Sequence, residues 1–124
     1  MKKSILYLSV TLLTFSTATF ATNVVITPMN VTSFYAKNTP LCIAIQKGEI
    51  DLVKKLLEYG ADVNEKSFGM TPLMVAARYN KVEIMKLLIS NGAISTTKDE
   101  KGFTALKYAE LSNAIGAIEL LKTV

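Results

Sequence analysis

The sequence predicts an all-α solenoid of about three helix-turn-helix repeats with connecting β-turn loops. One observation is a tract, Thr-Pro-Leu twice and then Thr-Ala-Leu, that recurs at Thr39, Thr71 and Thr104 with spacings of 32 and 33 residues. A second is that each tract opens two apolar segments of helical period, separated by a single Gly or Asn. A period of about 33 residues is typical of stacked helix pairs, in which each repeat buries its apolar face against its neighbours.

The first repeat, residues 39–70, contains signals for two helices. Thr39 has the hydroxyl of an N-cap, and Pro40 suits the first helical position. Gly48 ends the first helix, and Gly60 ends the second. The second helix carries an apolar stripe that we expect to be buried, made of Ile50, Leu52, Val53, Leu56 and Leu57.

The second repeat, residues 71–103, and the third, residues 104–124, follow the same pattern. Asn80 and Asn113 stand where the first repeat has Gly48, and Asn tolerates the left-handed backbone that such a turn needs. The apolar positions of the two second helices are Val82, Ile84, Met85, Leu87, Leu88 and Ile89, and then Ile115, Ile118, Leu120 and Leu121. The sequence therefore predicts six helices in three pairs.

The N-terminal residues 1–21 have the pattern of a secretory signal peptide. Lys2 and Lys3 precede a short apolar stretch, and small residues allow cleavage after Ala21 or, as a second choice, after Ala18. An uncleaved membrane anchor is the alternative, although the stretch is short for a spanning helix and rich in Ser and Thr. We predict an exported protein, periplasmic in the first place and secreted in the second, with no membrane contact after cleavage.

The segment after the signal, residues 22–38, is predicted to be a lead-in and N-terminal cap, because the open end of a repeat stack exposes core. The formal net charge is +4 and becomes +2 when Lys2 and Lys3 are removed with the signal. Such a weak charge does not indicate a nucleic-acid partner. We expect a monomer.

The residue types that most often perform chemistry are scarce. The chain has no His, which removes the usual general base and the usual zinc ligand. Its one cysteine, Cys42, cannot form an intramolecular disulfide and is expected to be buried. We therefore predict no catalytic residues, no metal, no cofactor and no enzyme activity.

Two motifs carry a resemblance to a known family. Residues 99–104 read D-E-K-G-F-T, the loop that precedes a repeat, and residues 57–64 read L-E-Y-G-A-D-V-N, the close of a repeat. Over residues 39–124 the chain resembles the ankyrin-repeat family. It departs from the family where a His usually follows the Thr-Pro-Leu tract, at Cys42, Met74 and Lys107.

This resemblance implies that a protein partner docks on the concave face, made of loop tips and the ends of the first helices. By position the loop tips are Lys37, Asn38, Ser67, Phe68, Met70, Glu100, Lys101 and Phe103. The residues predicted to contact the partner are Gln46, Lys47, Phe68, Met70, Arg78, Tyr79, Lys101, Phe103, Leu111 and Ser112.

Large apolar side chains and an arginine are enriched among these predicted contacts, as they are in interface cores. The alternative is that Phe68 and Phe103 fold back, either to plug an imperfect loop or to pack on the neighbouring repeat. We expect an accessory factor or an inhibitor of a periplasmic protein. A secreted effector that targets a host or competitor protein is the alternative.

Overall fold

The computed structural model describes residues 37–124, which contain six helices and no strand. The predicted signal peptide and all but the last two residues of the predicted lead-in lie outside the described residues. The helices are α1 (Pro40–Lys47), α2 (Ile50–Glu58), α3 (Pro72–Arg78), α4 (Val82–Ser90), α5 (Ala105–Leu111) and α6 (Ile115–Lys122). The predicted helical solenoid is thereby confirmed. Within residues 37–124, no helix has the length and apolar character needed to cross a membrane.

Each first helix begins at the threonine that the repeat pattern indicated. The hydroxyl oxygens of Thr39, Thr71 and Thr104 accept hydrogen bonds from the backbone N–H three residues on, at 3.3, 3.2 and 3.3 Å. These bonds satisfy donors that the first helical turn leaves without an intrahelical acceptor. At α3 the cap is reciprocal, since the Thr71 N–H donates to the Met74 sulfur at 3.4 Å.

The turns between paired helices are left-handed, as predicted. The φ angles of Gly48, Asn80 and Asn113 are 75°, 54° and 53°. Gly adopts this conformation without a Cβ penalty, and Asn tolerates it better than most residues do. The single left-handed residue reverses the chain, so that the second helix of each pair packs back on the first.

The six helices form two layers. The first helices lie side by side with α3 between α1 and α5, and the second layer contains α2, α4 and α6. Because α3 has neighbours on both sides and a second layer behind it, Pro72 to Ala77 are all buried. Cys42 is also buried, as predicted, and burial raises the pKa of its thiol.

Two apolar positions that the helical period placed in the core are exposed. Leu52 is 41% exposed, although Ile84 and Ala117, which take the same place in α4 and α6, are 3% and 0% exposed. Ile115 is 62% exposed, although Val82 at its place in α4 is half-buried. Both exceptions belong to the outermost helix pairs of the described stack, where a neighbouring repeat is lacking on one side. The prediction that these two side chains are core was wrong.

Candidate protein-binding groove

An open groove with a volume of about 530 Å³ runs between the loops that precede α3 and α5 and the C-terminal ends of these two helices. We call it the loop-helix groove. It is lined by seven of the ten predicted contact residues, namely Phe68, Met70, Arg78, Lys101, Phe103, Leu111 and Ser112. Gly69, Asp99, Glu100 and Tyr108 complete the lining. Residues from two repeats, distant in sequence, thus share one concave surface.

The other three predicted contact residues do not line this groove. Gln46 and Lys47 are exposed at the end of α1, in the first repeat. Tyr79 follows Arg78 at the end of α3 and is 47% exposed. All three are accessible, but only a partner that extends beyond the loop-helix groove would reach them.

Two residues expected at loop tips are buried. Asn38 is 5% exposed and Ser67 is 3% exposed. The Ser67 hydroxyl lies 3.0 Å from the Lys37 carbonyl oxygen and 2.9 Å from the Asn38 side-chain oxygen, and it accepts a hydrogen bond from the Thr39 N–H at 3.3 Å. Ser67 thus ties the loop before α3 to the start of α1. The prediction that Asn38 and Ser67 lie at loop tips was wrong.

Phe68 occupies an unusual backbone conformation in the same loop. Ser67 and Met70 exchange backbone hydrogen bonds of 2.8 and 3.0 Å, so that only Phe68 and Gly69 form the turn between them. Both have positive φ, 51° and 79°, as in the two-residue turns that favour Asn-Gly. Left-handed backbone in an ordinary L-residue costs about 1–2 kcal/mol. An aromatic residue, 57% exposed, therefore stands where turn chemistry favours Asn or Gly.

The loop before α5 is organised by Asp99. Its carboxylate accepts hydrogen bonds from the N–H of Lys101 at 2.9 Å, from the N–H of Phe103 at 2.8 Å and from the hydroxyl of Tyr108. The Tyr108 bond lowers the pKa of Asp99 and raises the pKa of Tyr108. Asp99 thus fixes the conformation of the loop that forms one wall of the groove. Its carboxylate oxygens are already used as acceptors by these three donors.

Phe103 folds back and packs on Tyr108 of the following repeat, as the alternative foresaw. Its ring meets that of Tyr108 edge to face, with centroids 5.8 Å apart and an interplanar angle of 74°, and the residue is half-buried. Sequence reasoning did not include Asp99 or Tyr108 in the site. The signal was present, because Asp99 begins the Asp-x-x-Gly loop and Tyr108 lies on the first turns of the helix that follows it.

Arg78 places a positive charge in the groove. Its guanidinium carbon lies 6.0 Å from the centroid of the Tyr79 ring, and its charge acts on Tyr108 in the direction that lowers the Tyr108 pKa. Within residues 37–124, the one ion pair joins Lys86 and Glu83 on α4 and does not involve Arg78. The Arg78 guanidinium therefore has no carboxylate partner among the described residues.

The described residues contain no group of three His, Cys, Asp or Glu side chains placed to hold a metal ion. Methionine sulfur can also bind soft metal ions, but Met74 and Met85 are buried in the core, at 1% and 0% exposure. The groove offers aromatic rings, a thioether, aliphatic carbon and charged groups, and these are the means by which a surface recognises another polypeptide.

Stacked helix pairs with a groove between loops and first helices define a helical-repeat interaction module. A family model for ankyrin repeats in three copies matches residues 41–123. The chain belongs to the ankyrin-repeat family, whose repeats serve as scaffolds for protein-protein interaction. No curated protein matches the chain.

Proposed function

We propose that the protein is exported and binds one protein partner in the loop-helix groove, as an accessory factor or inhibitor of a periplasmic protein. Recognition uses a preformed surface and makes or breaks no covalent bond. The observation that carries the proposal is Phe68, a bulky aromatic side chain kept at positive φ and 57% exposed at the groove. Strained backbone of this kind is concentrated at functional sites.

The size of the groove defines how a partner engages. A stable protein interface buries about 800 Å² on each side, which is more surface than one groove of this kind presents. Gln46, Lys47 and Tyr79 are exposed on neighbouring helix ends and would extend the contact. In this proposal the groove anchors the partner and these side chains form the rim.

The proposed export rests on the N-terminal sequence pattern, with Lys2 and Lys3 before an apolar stretch. The periplasm is the compartment we propose, and release to act on a host or competitor protein is the alternative. Fractionation of cells separates the two, because an effector accumulates in the culture supernatant and a periplasmic protein is released by osmotic shock. The mass of the accumulated form reports whether cleavage follows Ala18 or Ala21.

Affinity capture from a periplasmic extract tests the binding function. The bait is the form of the protein that cells accumulate, and the partner is identified by mass spectrometry. We compare it with a bait that carries both Tyr79→Ala and Phe103→Ala, and with a matched control, Lys55→Ala, on the exposed face of α2. The double variant should weaken binding more than about tenfold, whereas the control should bind as the parent does.

The melting temperature of each bait shows whether a loss of binding is due to unfolding of the variant. A partner retained equally by the double variant would overturn the placement of the binding site. If the double variant unfolds, the experiment is repeated with Phe68→Asn. Phe68 is more exposed than Tyr79 and Phe103, and Asn suits the backbone conformation of this turn. The activity of the captured partner, with and without the protein, then separates an inhibitor from an accessory factor.

A further inference from the structure

The charged side chains of the loop-helix groove differ in whether they already have partners within the protein. This difference indicates which charge on a ligand the groove can bind. Two cations and two carboxylates line it, Arg78 and Lys101 against Asp99 and Glu100. The Asp99 carboxylate already accepts two hydrogen bonds from its own loop and one from Tyr108 on α5. Arg78 has no carboxylate partner within residues 37–124. The Arg78 guanidinium is therefore available to a carboxylate of a ligand, whereas most acceptor sites of the Asp99 carboxylate are already used by donors of the protein.

Apolar groups line the same groove as Arg78. Phe68 and Leu111 are 57% and 60% exposed, and the half-buried Met70 lies between the loop and α3. Such a surface favours an aliphatic or aromatic side chain, and water is displaced when one binds. Removing water also strengthens the attraction of Arg78 for a carboxylate, because the local dielectric falls. The planar guanidinium can in addition donate two parallel hydrogen bonds to that carboxylate.

We infer that the groove recognises an acidic segment of the partner, one that places a large apolar side chain against Phe68, Met70 and Leu111 and a carboxylate on Arg78. This inference rests on the proposed function and specifies the partner. The groove volume of about 530 Å³ is comparable with pockets that hold compact ligands. A few consecutive residues of polypeptide therefore fill it.

A phage-displayed library of random peptides, selected on the purified protein, tests the inference. The expected result is enrichment of peptides with Asp or Glu beside Leu, Ile, Met or an aromatic residue. Synthetic copies of the enriched peptides are then titrated by fluorescence anisotropy. Arg78→Gln should weaken their binding by about tenfold or more, and raising the salt concentration should weaken binding to the parent.

Two matched variants make the outcome specific. Lys55→Ala, which also removes a positive charge but lies on α2, should leave peptide affinity unchanged. Arg78→Lys keeps the charge and loses the bidentate geometry, so its affinity should fall between those of Arg78→Gln and the parent. The melting temperatures should all match, because the Arg78 side chain is exposed at the end of α3.

Enrichment of basic or uncharged peptides, enrichment of nothing, or equal affinity of Arg78→Gln and the parent would each overturn the inference. The proposed function can survive that result. A captured protein partner that is lost on Phe68→Asn and kept on Arg78→Gln would mean that the groove binds protein without reading acidic charge. A partner that is retained by both variants would overturn both the inference and the proposed function of the groove.

Discussion

The side-chain oxygen of Asn80 accepts a hydrogen bond of 3.0 Å from the backbone N–H of Ala117, across the junction between the second and third repeats. Helix α6 begins after Ala114, which has no side chain able to cap it. Its first turn is therefore capped by the turn of the preceding helix pair. One residue both reverses the chain in its own repeat and positions the next.

Two substitutions of Asn80 should separate these roles. Asn80→Gly keeps the left-handed turn and removes the cap, so it should lower the free energy of unfolding by about 1 kcal/mol. Asn80→Ala removes the cap and also places a Cβ at a φ of 54°, which should cost about 1–2 kcal/mol more. Urea denaturation measures both, and equal stability of the glycine variant and the parent would show that the bond contributes little.

Gly116 should be an exception to the usual effect of glycine in a helix. Replacing a Gly within a helix by Ala normally stabilises, by up to about 1 kcal/mol in the helix interior. Here a Cβ on Gly116 would lie 2.8 Å from the Val82 Cγ2 atom and 3.3 Å from the Asn80 side-chain oxygen. Gly116→Ala should therefore lower the melting temperature, because α6 must move away from the second repeat.

A second substitution tests the cause of that effect. In the double variant Gly116→Ala with Val82→Ala, the clashing methyl group is removed. Gly116→Ala should therefore lower the free energy of unfolding by less in the Val82→Ala background than in the parent. A double-mutant cycle in urea measures this coupling between the two positions. Additive effects would mean that the close approach of Gly116 to Val82 is not the reason for the loss.

Phe68→Asn should separate stability from binding. Asn is preferred over Phe in a turn with positive φ, so the variant should gain up to about 1 kcal/mol in the free energy of unfolding. The same change removes the exposed ring from the groove and should weaken partner or peptide binding. Calorimetry and anisotropy report the two quantities. A variant that is less stable than the parent would mean that the Phe68 ring contributes packing that outweighs the strain.

The bond between Tyr108 and Asp99 should make the third repeat sensitive to pH at both extremes. The pKa of Asp99 is lowered in the folded protein, so its stabilising effect is present above the unfolded pKa of about 4 and is lost as the pH falls through the folded pKa. The pKa of Tyr108 is raised, so its effect is present below about pH 10 and is lost as the pH rises through the folded pKa.

Tyr108→Phe tests this assignment, since it removes the hydroxyl and keeps a ring to pack against Phe103. In a ¹³C NMR titration, the Asp99 carboxyl should titrate at a higher pH in the variant than in the parent, although below an unperturbed Asp because its two backbone hydrogen bonds remain. Asp99 pKa values that agree between the two proteins would contradict the assignment of the tyrosine as the main cause.

Local signals predicted the helix pairs well because they act over a few residues. The caps at Thr39, Thr71 and Thr104 depend on a side-chain hydroxyl that bonds the adjacent backbone. The left-handed turns at Gly48 and Asn80 depend on residue types that tolerate positive φ. The repeat spacing then placed the same signals in register three times. Seven of the ten predicted contact residues came to line one groove for the same reason, since equivalent positions in stacked repeats lie side by side.

The sequence by itself thus determined the class of fold, the threonines that cap the first helices and the residues at which each helix pair turns, because period, caps and turns are local properties. Only the tertiary structure decided which side chains are covered. Leu52 and Ile115 have the spacing of core residues but are exposed at the outermost pairs, whereas Ser67 looks like a loop residue but is buried against Asn38. Burial depends on what a neighbouring repeat brings to a position, and the helical period of one segment does not contain that information.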